Sequence, residues 1–415
     1  MDMQNSGLNR TLVGKWSLRL IPLLLLLPGI VLAQSTVEVS NVSQLQNALN
    51  SANNGGGNVI ISVNDGTYSL SDTLYVNAPN ITIKGKSGNR SSVIIQGDAM
   101  SANASIGNVI RVAANNFKLD GVTLQRAGWH AIQVAGESNA DGAVITNCVL
   151  RDTYEQLIKV TKNGSTVSDN GRVENCLFEY SAGRAPYYYT GGIDAHGAKG
   201  WVVRGNTFRG IASPSGSVSE FAVHFWDDSA NNTTERNTII DCDRGIGYGL
   251  QGFATNAGGT IRNNMVYHSN NGAPFADVGI ALENSTNTQV YNNTVYFANN
   301  MSWSMEYRFA ATTGAVFTNN LSNKPIQARD GGSGTQQSNV TNASSSWFKG
   351  LSSGDLHLAS GVSSVVNAGR AVSGLTDDFD GDARGSDAGI DIGADEFGGA
   401  AGVKKPNPPT GVSTQ

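Results

Sequence analysis

Side chains that can transfer protons occur in three short segments of similar pattern. Asp194 and His196 stand two apart in GGIDAHG, and His224 and Trp226 stand two apart in AVHFWD. Lys159 lies in a third such segment, LIKV. Carboxylate, imidazole and ammonium groups act as acids, bases and charge neutralisers, so these segments predict a catalytic or binding site.

The residue types suit a β-elimination on a uronic acid. In that reaction a base removes the proton beside the carboxylate, a cation neutralises the carboxylate, and an acid protonates the leaving oxygen. We predict His224 or Lys159 as the base. His196 or a tyrosine of the run RAPYYYTGG, which includes Tyr188, is the predicted acid, and Arg308 is the predicted cation.

A recurring asparagine indicates the elements that position these residues. It returns every 27 to 31 residues in short β-like runs, at Asn147, Asn175, Asn206, Asn237, Asn264, Asn293 and Asn320, with weaker members at Asn80 and Asn116. Asparagine tolerates the left-handed backbone region, and its amide can bond to the same amide one coil away. A long period of short strands without helices predicts an all-β fold, a single right-handed parallel β-helix of about ten coils with an asparagine ladder.

The strand that follows each asparagine turn fixes which side chains face outward. Its second position is apolar in every coil, at Ile132, Ile158, Ile193, Val223, Ile246, Ile280, Met305 and Ile326. Because alternate residues point to opposite faces, the residues between the apolar positions point outward. The outward set comprises Lys159, Asp194, His196, His224, Trp226, Gly247, Gly249, Glu283, Glu306, Arg308 and Arg329.

This register gathers the candidate residues on one face. Lys159, Asp194 and His224 fall within three neighbouring coils, about 10 Å along the axis. The next coil offers only glycines, which predicts a bare shelf, and an exposed tryptophan beside it would stack on a sugar ring. The predicted substrate contacts are therefore Trp226, Tyr188, Gly247, Gly249, Glu283, Glu306 and Arg329. Arg308 lies three coils from His224.

A glycoside hydrolase is an alternative, and it would use paired carboxylates. Asp194 and Glu283 stand three coils apart, about 14 Å, which exceeds the roughly 5 to 9.5 Å that such pairs need. Glu283 and Glu306 belong to adjacent coils and fit better.

Metal binding is a further alternative for the same face. Asp194, His196 and His224 offer one carboxylate and two imidazoles. Such residues more often hydrogen-bond to one another, so we predict no transition-metal site there.

The stretch DDFDGD resembles the start of a calcium loop, with aspartates at positions 378, 380 and 382. It departs from the calcium-binding pattern at Ala383, where glycine is needed, and at Gly389, where the last glutamate should stand. A capping turn is therefore favoured over bound Ca²⁺, which is the one cofactor that the sequence suggests.

Both ends of the repeat add to the pattern. NVSQLQNALNSA carries Val42, Leu45, Ala48, Leu49 and Ala52 at helical spacing and predicts a helix that caps the first coil. With the ending DFDGDARGSDAGIDIGADEF, the chain resembles the secreted bacterial right-handed β-helix proteins of the pectate-lyase-like superfamily. The resemblance spans residues 36–397. It implies the fold, and it leaves open a lyase, a hydrolase, an epimerase or a non-catalytic surface or glycan-binding protein.

The N-terminus and the composition set the expected location and partners. Residues 1–33 read as a signal peptide with basic residues before a short apolar run, so we expect a periplasmic or extracellular protein without a membrane anchor. The net charge of -5 argues against nucleic acid as a partner. A polysaccharide is the expected partner, the protein is expected to be a monomer, and residues 398–415 read as a tail or linker.

The three cysteines have an expected role in the core. Cys148 and Cys176 each follow a recurring asparagine, which favours two stacked, buried thiols over a disulfide.

Overall fold

Three parallel β-sheets form the walls of a right-handed β-helix in the computed structural model of the protein. The structure describes residues 34–385 and 389–398. The predicted signal peptide and the predicted tail from residue 399 onward lie outside the described residues. Among the described residues, no helix has the length and apolarity needed to cross a membrane.

Each coil contributes one strand to each sheet. Sheet A contains β1 (Ser35–Val39), β2 (Val59–Val63), β5 (Ile81–Gly85), β8 (Lys118–Asp120), β11 (Val144–Thr146), β14 (Arg172–Glu174), β17 (Val202–Arg204), β20 (Thr233–Glu235), β24 (Thr260–Arg262), β28 (Gln289–Tyr291), β31 (Ala315–Thr318) and β34 (Gly334–Gln337). Sheet B contains β3 (Gly66–Ser69), β6 (Val93–Gln96), β9 (Thr123–Ala127), β12 (Val149–Thr153), β15 (Leu177–Glu179), β18 (Thr207–Arg209), β21 (Thr238–Ile240), β25 (Met265–His268), β29 (Thr294–Phe297) and β32 (Leu321–Ser322). Sheet C contains β4 (Leu74–Val76), β7 (Asn108–Val112), β10 (His130–Val134), β13 (Ile158–Val160), β16 (Ile193–His196), β19 (Val223–Trp226), β22 (Arg244–Tyr248), β26 (Val278–Glu283), β30 (Met305–Arg308) and β33 (Ile326–Arg329). The prediction of about ten coils is thus confirmed.

Short elements complete the architecture. The strands β23 (Asn256–Ala257) and β27 (Ser285–Thr286) pair in parallel, and β35 (Phe348–Gly350) pairs with β36 (Asp355–Leu358) in antiparallel fashion. Single 3-10 turns lie at Gly136–Ser138, Ser345–Trp347 and Leu351–Ser353.

The predicted cap is the helix α1 (Val42–Asn54). The side chain of Asn41 accepts a hydrogen bond from the backbone N–H of Gln44, which satisfies one donor of the first turn. Leu45, Leu49 and Ala52 are buried against the first coil, as their spacing predicts. The helix therefore covers the apolar end of the β-helix core.

The asparagine ladder is present, but the turn uses two neighbouring columns of residues. The residue in the left-handed conformation is Asn147, Asn175, Gly205, Arg236, Asn263, Asn292 or Asn319 in successive coils. The residue after it points into the core, and from Asn206 onward it is asparagine, each amide Nδ2 bonding the next Oδ1 at 2.9 to 3.0 Å up to Asn339. The sequence pattern therefore places Asn147 and Asn175 in the wrong column, because they are the left-handed residues of the turn and not members of the buried amide ladder.

Two cysteines continue the buried column where the asparagines stop. The backbone N–H of Cys176 donates to Asn206 Oδ1 at 2.9 Å, and that of Cys148 donates to Cys176 Sγ at 3.3 Å. Both thiols are free and buried, as predicted. A thiol can replace the amide here because it still accepts a bond from the coil before it.

The early asparagines of the repeat belong to a third column, in the turn before sheet A. Asn80 and Asn116 have left-handed φ values of 57° and 59°. Their amides bond to each other at 3.0 Å, and Asn80 also bonds Asn58. This ladder is exposed, so it adds less stability than the buried one.

After β34 the chain folds back over the outer face of sheet B. Leu356, Leu358, Phe379 and Ile392 form a second apolar cluster with side chains of sheet B such as Tyr267. This layer covers a face that would otherwise expose apolar side chains.

The ending recognised in the sequence holds this layer in place. The buried Arg384 pairs with Glu396 at 3.1 Å and donates to Asn263 Oδ1 at 2.8 Å, in the turn between sheets A and B. Asp378 Oδ1 accepts the backbone N–H groups of the DDFDGD turn at 2.8 to 2.9 Å. That carboxylate therefore caps its own turn, as the sequence favoured.

Replacing an asparagine of the buried ladder should lower stability more than replacing an exposed asparagine of the same turn. Asn264→Ala removes an amide that bonds both Asn237 and Asn293, so the free energy of unfolding should fall by about 2–4 kcal/mol. Asn147→Gly, which keeps the left-handed turn and loses one exposed hydrogen bond, should cost less than about 1 kcal/mol. Denaturant unfolding of both variants measures this difference, and equal losses would contradict it.

The C-terminal layer predicts an alkaline loss of stability. Burial would lower the pKa of His357, but hydrogen bonds to Asp380 and Asp355 raise the pKa to about 9. The contribution of the imidazolium is therefore complete below pH ~6.5 and is lost as the pH rises through 9, by up to about 3 kcal/mol. His357→Gln should lower the melting temperature at pH 6 and remove most of the further decline between pH 7 and 10. A decline of the same size in the variant would refute the assignment.

Candidate functional site

The register of sheet C brings most of the predicted catalytic residues together. Lys159 pairs in register with Asp194, Asp194 with His224, and His196 with Trp226. The apolar positions between them are fully buried inside the coil. The outward register predicted from the sequence is thus confirmed.

Asp194 lies at the centre of this group and is completely buried. Its Oδ2 accepts from Lys159 Nζ at 2.5 Å, and its Oδ1 accepts from Trp226 Nε1 at 2.6 Å. Burial alone would raise the pKa of Asp194, but the Lys159 charge and the neighbouring histidines lower it to about 2. The carboxylate is therefore ionised, and it holds the ammonium and the indole in fixed positions.

Lys159 stays positively charged at the edge of the site. Burial would lower its pKa, but the Asp194 carboxylate raises it above the ordinary value. Its Nζ also lies 3.4 Å from the hydroxyl of Tyr189. Burial raises the pKa of Tyr189, against the opposing effect of the lysine charge, so the phenol keeps its proton at neutral pH.

His196 is partly exposed, and its Nε2 is buried without a hydrogen-bond partner. Its side chain is 21% exposed, and its Nε2 and Nδ1 lie 3.8 Å from carboxylate oxygens of Asp194 and Asp227, beyond hydrogen-bond distance. Burial lowers the pKa of His196 to about 4, despite Asp194, which raises it. The ring is therefore neutral at pH 7 and has one nitrogen lone pair.

His224 is held on both sides, unlike His196. Its Nδ1 lies 2.8 Å from Glu220 Oε2, and its Nε2 lies 3.1 Å from the carbonyl oxygen of Gly249. The carbonyl only accepts, so Nε2 donates to it, and Nδ1 is hydrogen-bonded to the carboxyl group of Glu220. The side chain is also fully buried. In this arrangement both ring nitrogens of His224 are occupied, and the geometry favours a supporting role over that of the base.

Trp226 differs from its prediction. It was predicted to be exposed, but it is only 6% exposed, because His196 packs on it with ring centroids 4.0 Å apart and Phe253 meets it edge-on at 4.6 Å. Phe253, in the turn after β22, is the ring that faces solvent there. Trp226 thus positions Asp194 and His196 and leaves the exposed aromatic surface to Phe253.

The predicted bare shelf is also filled. A Cβ placed on Gly247 would lie 2.4 Å from the ring of Phe221, which therefore covers this glycine. Arg244 stacks on the other side of that ring, with its guanidinium carbon 3.8 Å from the centroid. Gly249 has a φ of +81°, and its carbonyl oxygen is hydrogen-bonded to His224 Nε2. Gly247 makes room for Phe221, which comes from the turn before β19 and not from the strand itself, whereas a Cβ on Gly249 would meet the backbone of Glu283.

The remaining predicted residues form a separate group further along sheet C. Glu306 pairs with Arg329 at 2.5 Å, Arg308 pairs with Asp330 at 2.7 Å, and Glu283 pairs with Arg244 at 2.9 Å. Arg308 lies three strands beyond His224, about 14 Å at the spacing of parallel strands. The structure does not bring Arg308 to Asp194, so Lys159 is the cation of that site.

The sequence reasoning named the tyrosine run without its contacting member, and it missed two other residues. Tyr189, and not its exposed neighbour Tyr188, contacts Lys159. Glu220 and Phe221 enter from the turn between sheets B and C, whose conformation the repeat does not specify. In an extended run successive side chains point to opposite sides, so this alternation is a signal that could have distinguished Tyr189 from Tyr188.

Two groups of side chains bring metal-binding atom types together. Asp194, Glu220 and His224 each have one ligand atom within 4.8 Å of the others, and His357, Asp380 and Asp395 do the same. In the first group His224 uses both nitrogens and Asp194 both oxygens in hydrogen bonds. A cation there would have to displace those bonds.

Comparisons with known proteins agree with this architecture. A family model described as right handed beta helix region matches residues 108–342. No curated protein matches the chain. Among solved structures, an alginate lyase from a Paenibacillus species has 17% sequence identity and a TM-score of 0.52, and the alignment covers 74% of this chain and all of the lyase.

Two other solved structures match at lower similarity. A mannuronan C-5 epimerase module from Azotobacter vinelandii is 12% identical with a TM-score of 0.45, covering 73% of this chain and 91% of the module. A pectate lyase from Xanthomonas campestris is 14% identical with a TM-score of 0.35, covering 73% of this chain and 80% of the lyase.

Breaking the buried pair of Lys159 and Asp194 should lower the free energy of unfolding far more than breaking an exposed ion pair. Lys159→Met leaves the buried Asp194 carboxylate without its cation and should lower the free energy of unfolding by about 3–5 kcal/mol. Adding Asp194→Asn should restore part of that loss, because no buried charge remains. Lys86→Met breaks the exposed pair with Glu38 and should change stability by about 1 kcal/mol or less. Urea unfolding tests the set, and additive losses in the double variant would argue against a coupled pair.

Proposed function

This chain belongs to the right-handed beta helix family, and on that premise we propose that it is a secreted polysaccharide lyase that cleaves uronate-containing polymers by β-elimination. One observation carries the proposal. A charged lysine, a neutral histidine and a protonated tyrosine surround the same buried carboxylate on one face of the β-helix. Those are the three functions that the elimination needs.

Lys159 supplies the positive charge. The ammonium lies at the edge of the site and is fixed by Asp194, so it can approach the carboxylate of a bound uronate. Charge neutralisation makes the proton on the adjacent carbon more acidic and stabilises the carbanion-like transition state. A preorganised lysine does this without reorientation during the reaction.

His196 and Tyr189 each carry out one proton transfer, His196 as the base and Tyr189 as the acid. The neutral imidazole of His196 accepts the proton from the carbon beside the carboxylate, and the electron pair of that C–H bond forms the new carbon–carbon double bond. The bond to the glycosidic oxygen breaks, and the phenol of Tyr189 protonates the leaving oxygen. Solvent then exchanges protons with both residues and restores their starting forms.

The location and the partner form part of the same proposal. The apolar N-terminal run supports export, and an acidic polysaccharide is the partner that the site chemistry favours. Carbohydrate-active proteins share this fold, as the names of the structural neighbours illustrate.

Spectrophotometry tests the proposal directly. The purified protein should be incubated with alginate, polygalacturonate and hyaluronan while the ultraviolet absorbance of the unsaturated product is followed. His196→Ala and Tyr189→Phe should each lower kcat by about 10²- to 10⁴-fold. Tyr296→Phe, on sheet B, is the control and should keep full activity.

The pH dependence gives a second readout. In the unmodified protein kcat/KM should fall below about pH 4 as His196 becomes protonated, and again at alkaline pH as Tyr189, whose pKa is raised by burial, loses its proton. Tyr189→Phe should remove the alkaline limb of that profile. A pH profile that is unchanged in His196→Ala and in Tyr189→Phe would exclude these residues as the base and the acid.

Other outcomes would point to the alternatives. New reducing ends without absorbance would indicate a hydrolase, and Glu283 and Glu306, in adjacent strands, would be the first residues to replace. Binding without any cleavage would indicate a glycan-binding protein.

A further inference from the structure

The exposed aromatic side chains of the protein are not scattered. Among the described residues, the large hydrophobic side chains with high exposure include four aromatic ones, Tyr75, Trp129, Tyr188 and Phe253, with 44%, 53%, 40% and 49% exposed. Tyr75 lies in sheet C, and the other three lie in turns next to the strands of that sheet. Exposed apolar surface concentrated on one face marks a binding surface.

Their spacing along the axis is regular. Tyr75 lies in β4, Trp129 directly precedes β10, Tyr188 precedes β16, and Phe253 follows β22. These are alternate strands of sheet C, so the strands next to successive rings lie about 10 Å apart along the axis. That interval is close to the length of a disaccharide unit in an extended polymer, and it is too wide for a continuous apolar patch of the kind that buries against another protein.

Trp129 is held as a flat surface. A Cβ on Gly107 would lie 2.6 Å from the indole ring, so the ring lies directly on the backbone of the preceding coil. One face of the indole is therefore fixed against the protein, and much of the rest is exposed. A ring fixed before binding loses little conformational entropy when a sugar stacks on it.

Tyr188 is fixed by neighbouring rings. Tyr154 and Tyr187 stack with centroids 4.8 Å apart and planes 6° from parallel, and Tyr188 packs against Tyr187 at 4.7 Å. The backbone of Glu155, beside Tyr154, donates to the carbonyl of Trp129 at 3.1 Å. Trp129 and Tyr188 thus belong to one connected group at the edge where the strands of sheet C begin.

Two members of the aromatic series, Tyr188 and Phe253, lie next to residues of the candidate site. Tyr189, the residue after Tyr188, contacts Lys159, and Phe253 packs on Trp226 beside His196. A chain that lies over Lys159 and His196 therefore has an exposed aromatic ring on either side of it.

We infer that Trp129 and Tyr188 form a platform beside the candidate site that binds pyranose rings of a long polysaccharide. The inference rests on the proposed function in one respect, that the polymer bound is the uronate polysaccharide on which the site acts. Each ring contributes by stacking on the apolar C–H face of a sugar, and the polar residues between them contact its hydroxyl and carboxylate groups.

Affinity electrophoresis tests the platform separately from catalysis. The protein should carry His196→Ala throughout, so that the polymer in the gel stays intact, and the gels should contain alginate, polygalacturonate or hyaluronan. In the retarding gel, Trp129→Ala and Tyr188→Ala should each weaken binding by about 3- to 10-fold. Tyr291→Ala, which removes a ring from sheet A, is the matched control and should not alter the retardation. Circular dichroism confirms that each variant is folded.

The outcomes separate this inference from the proposed lyase activity. Unchanged retardation in both platform variants, or retardation by none of the three polymers, would overturn the platform and leave the absorbance assay to decide the activity. Retardation that depends on Trp129 and Tyr188, with no unsaturated product from the unmodified protein, would support the platform and refute the lyase. A dimer in sedimentation experiments that Trp129→Ala dissociates would instead identify the face as a contact between two copies, against the inference.

Discussion

The turn between sheets A and B is the constraint on which the rest of the structure depends. In the coils from Asn147 to Asn319 one residue adopts the left-handed conformation, and the next places a hydrogen-bonding group in the core. Asn264 and Asn293 show the second feature, because each fully buried amide satisfies its neighbour. With the turn fixed, coils stack in one register, and a side chain on one strand has defined neighbours above and below it.

That stacking brings together side chains that lie far apart in the sequence. Lys159, Asp194 and His224 are 35 and 30 residues apart in the chain, yet parallel register puts them side by side. A carboxylate between two basic neighbours can be buried and still stay ionised, because their charges compensate the loss of hydration. The fixed carboxylate then orients the side chains of Lys159 and Trp226 through its two oxygens.

The sequence predicts the strands and the outward columns well, because both follow from period-two alternation and from a repeat visible in the chain. It misassigned Asn147 and Asn175 by one residue, since asparagine serves both columns of the turn and the pattern alone does not distinguish them. It also predicted an exposed Trp226 and an open Gly247. Those errors share one cause, because the turns between sheets B and C and after sheet C cover the strands, and their conformations are not periodic.

The covering turns explain why the site contains two kinds of aromatic residue. Rings carried by the strand, such as Trp226, are buried beneath the turns and serve to orient charged groups. Rings carried by the turns, such as Tyr188 and Phe253, lie at the surface, where they can meet a ligand. An outward position on a strand is therefore not by itself a surface position in this fold. The repeat determines which residues can react, and the irregular turns determine what can reach them.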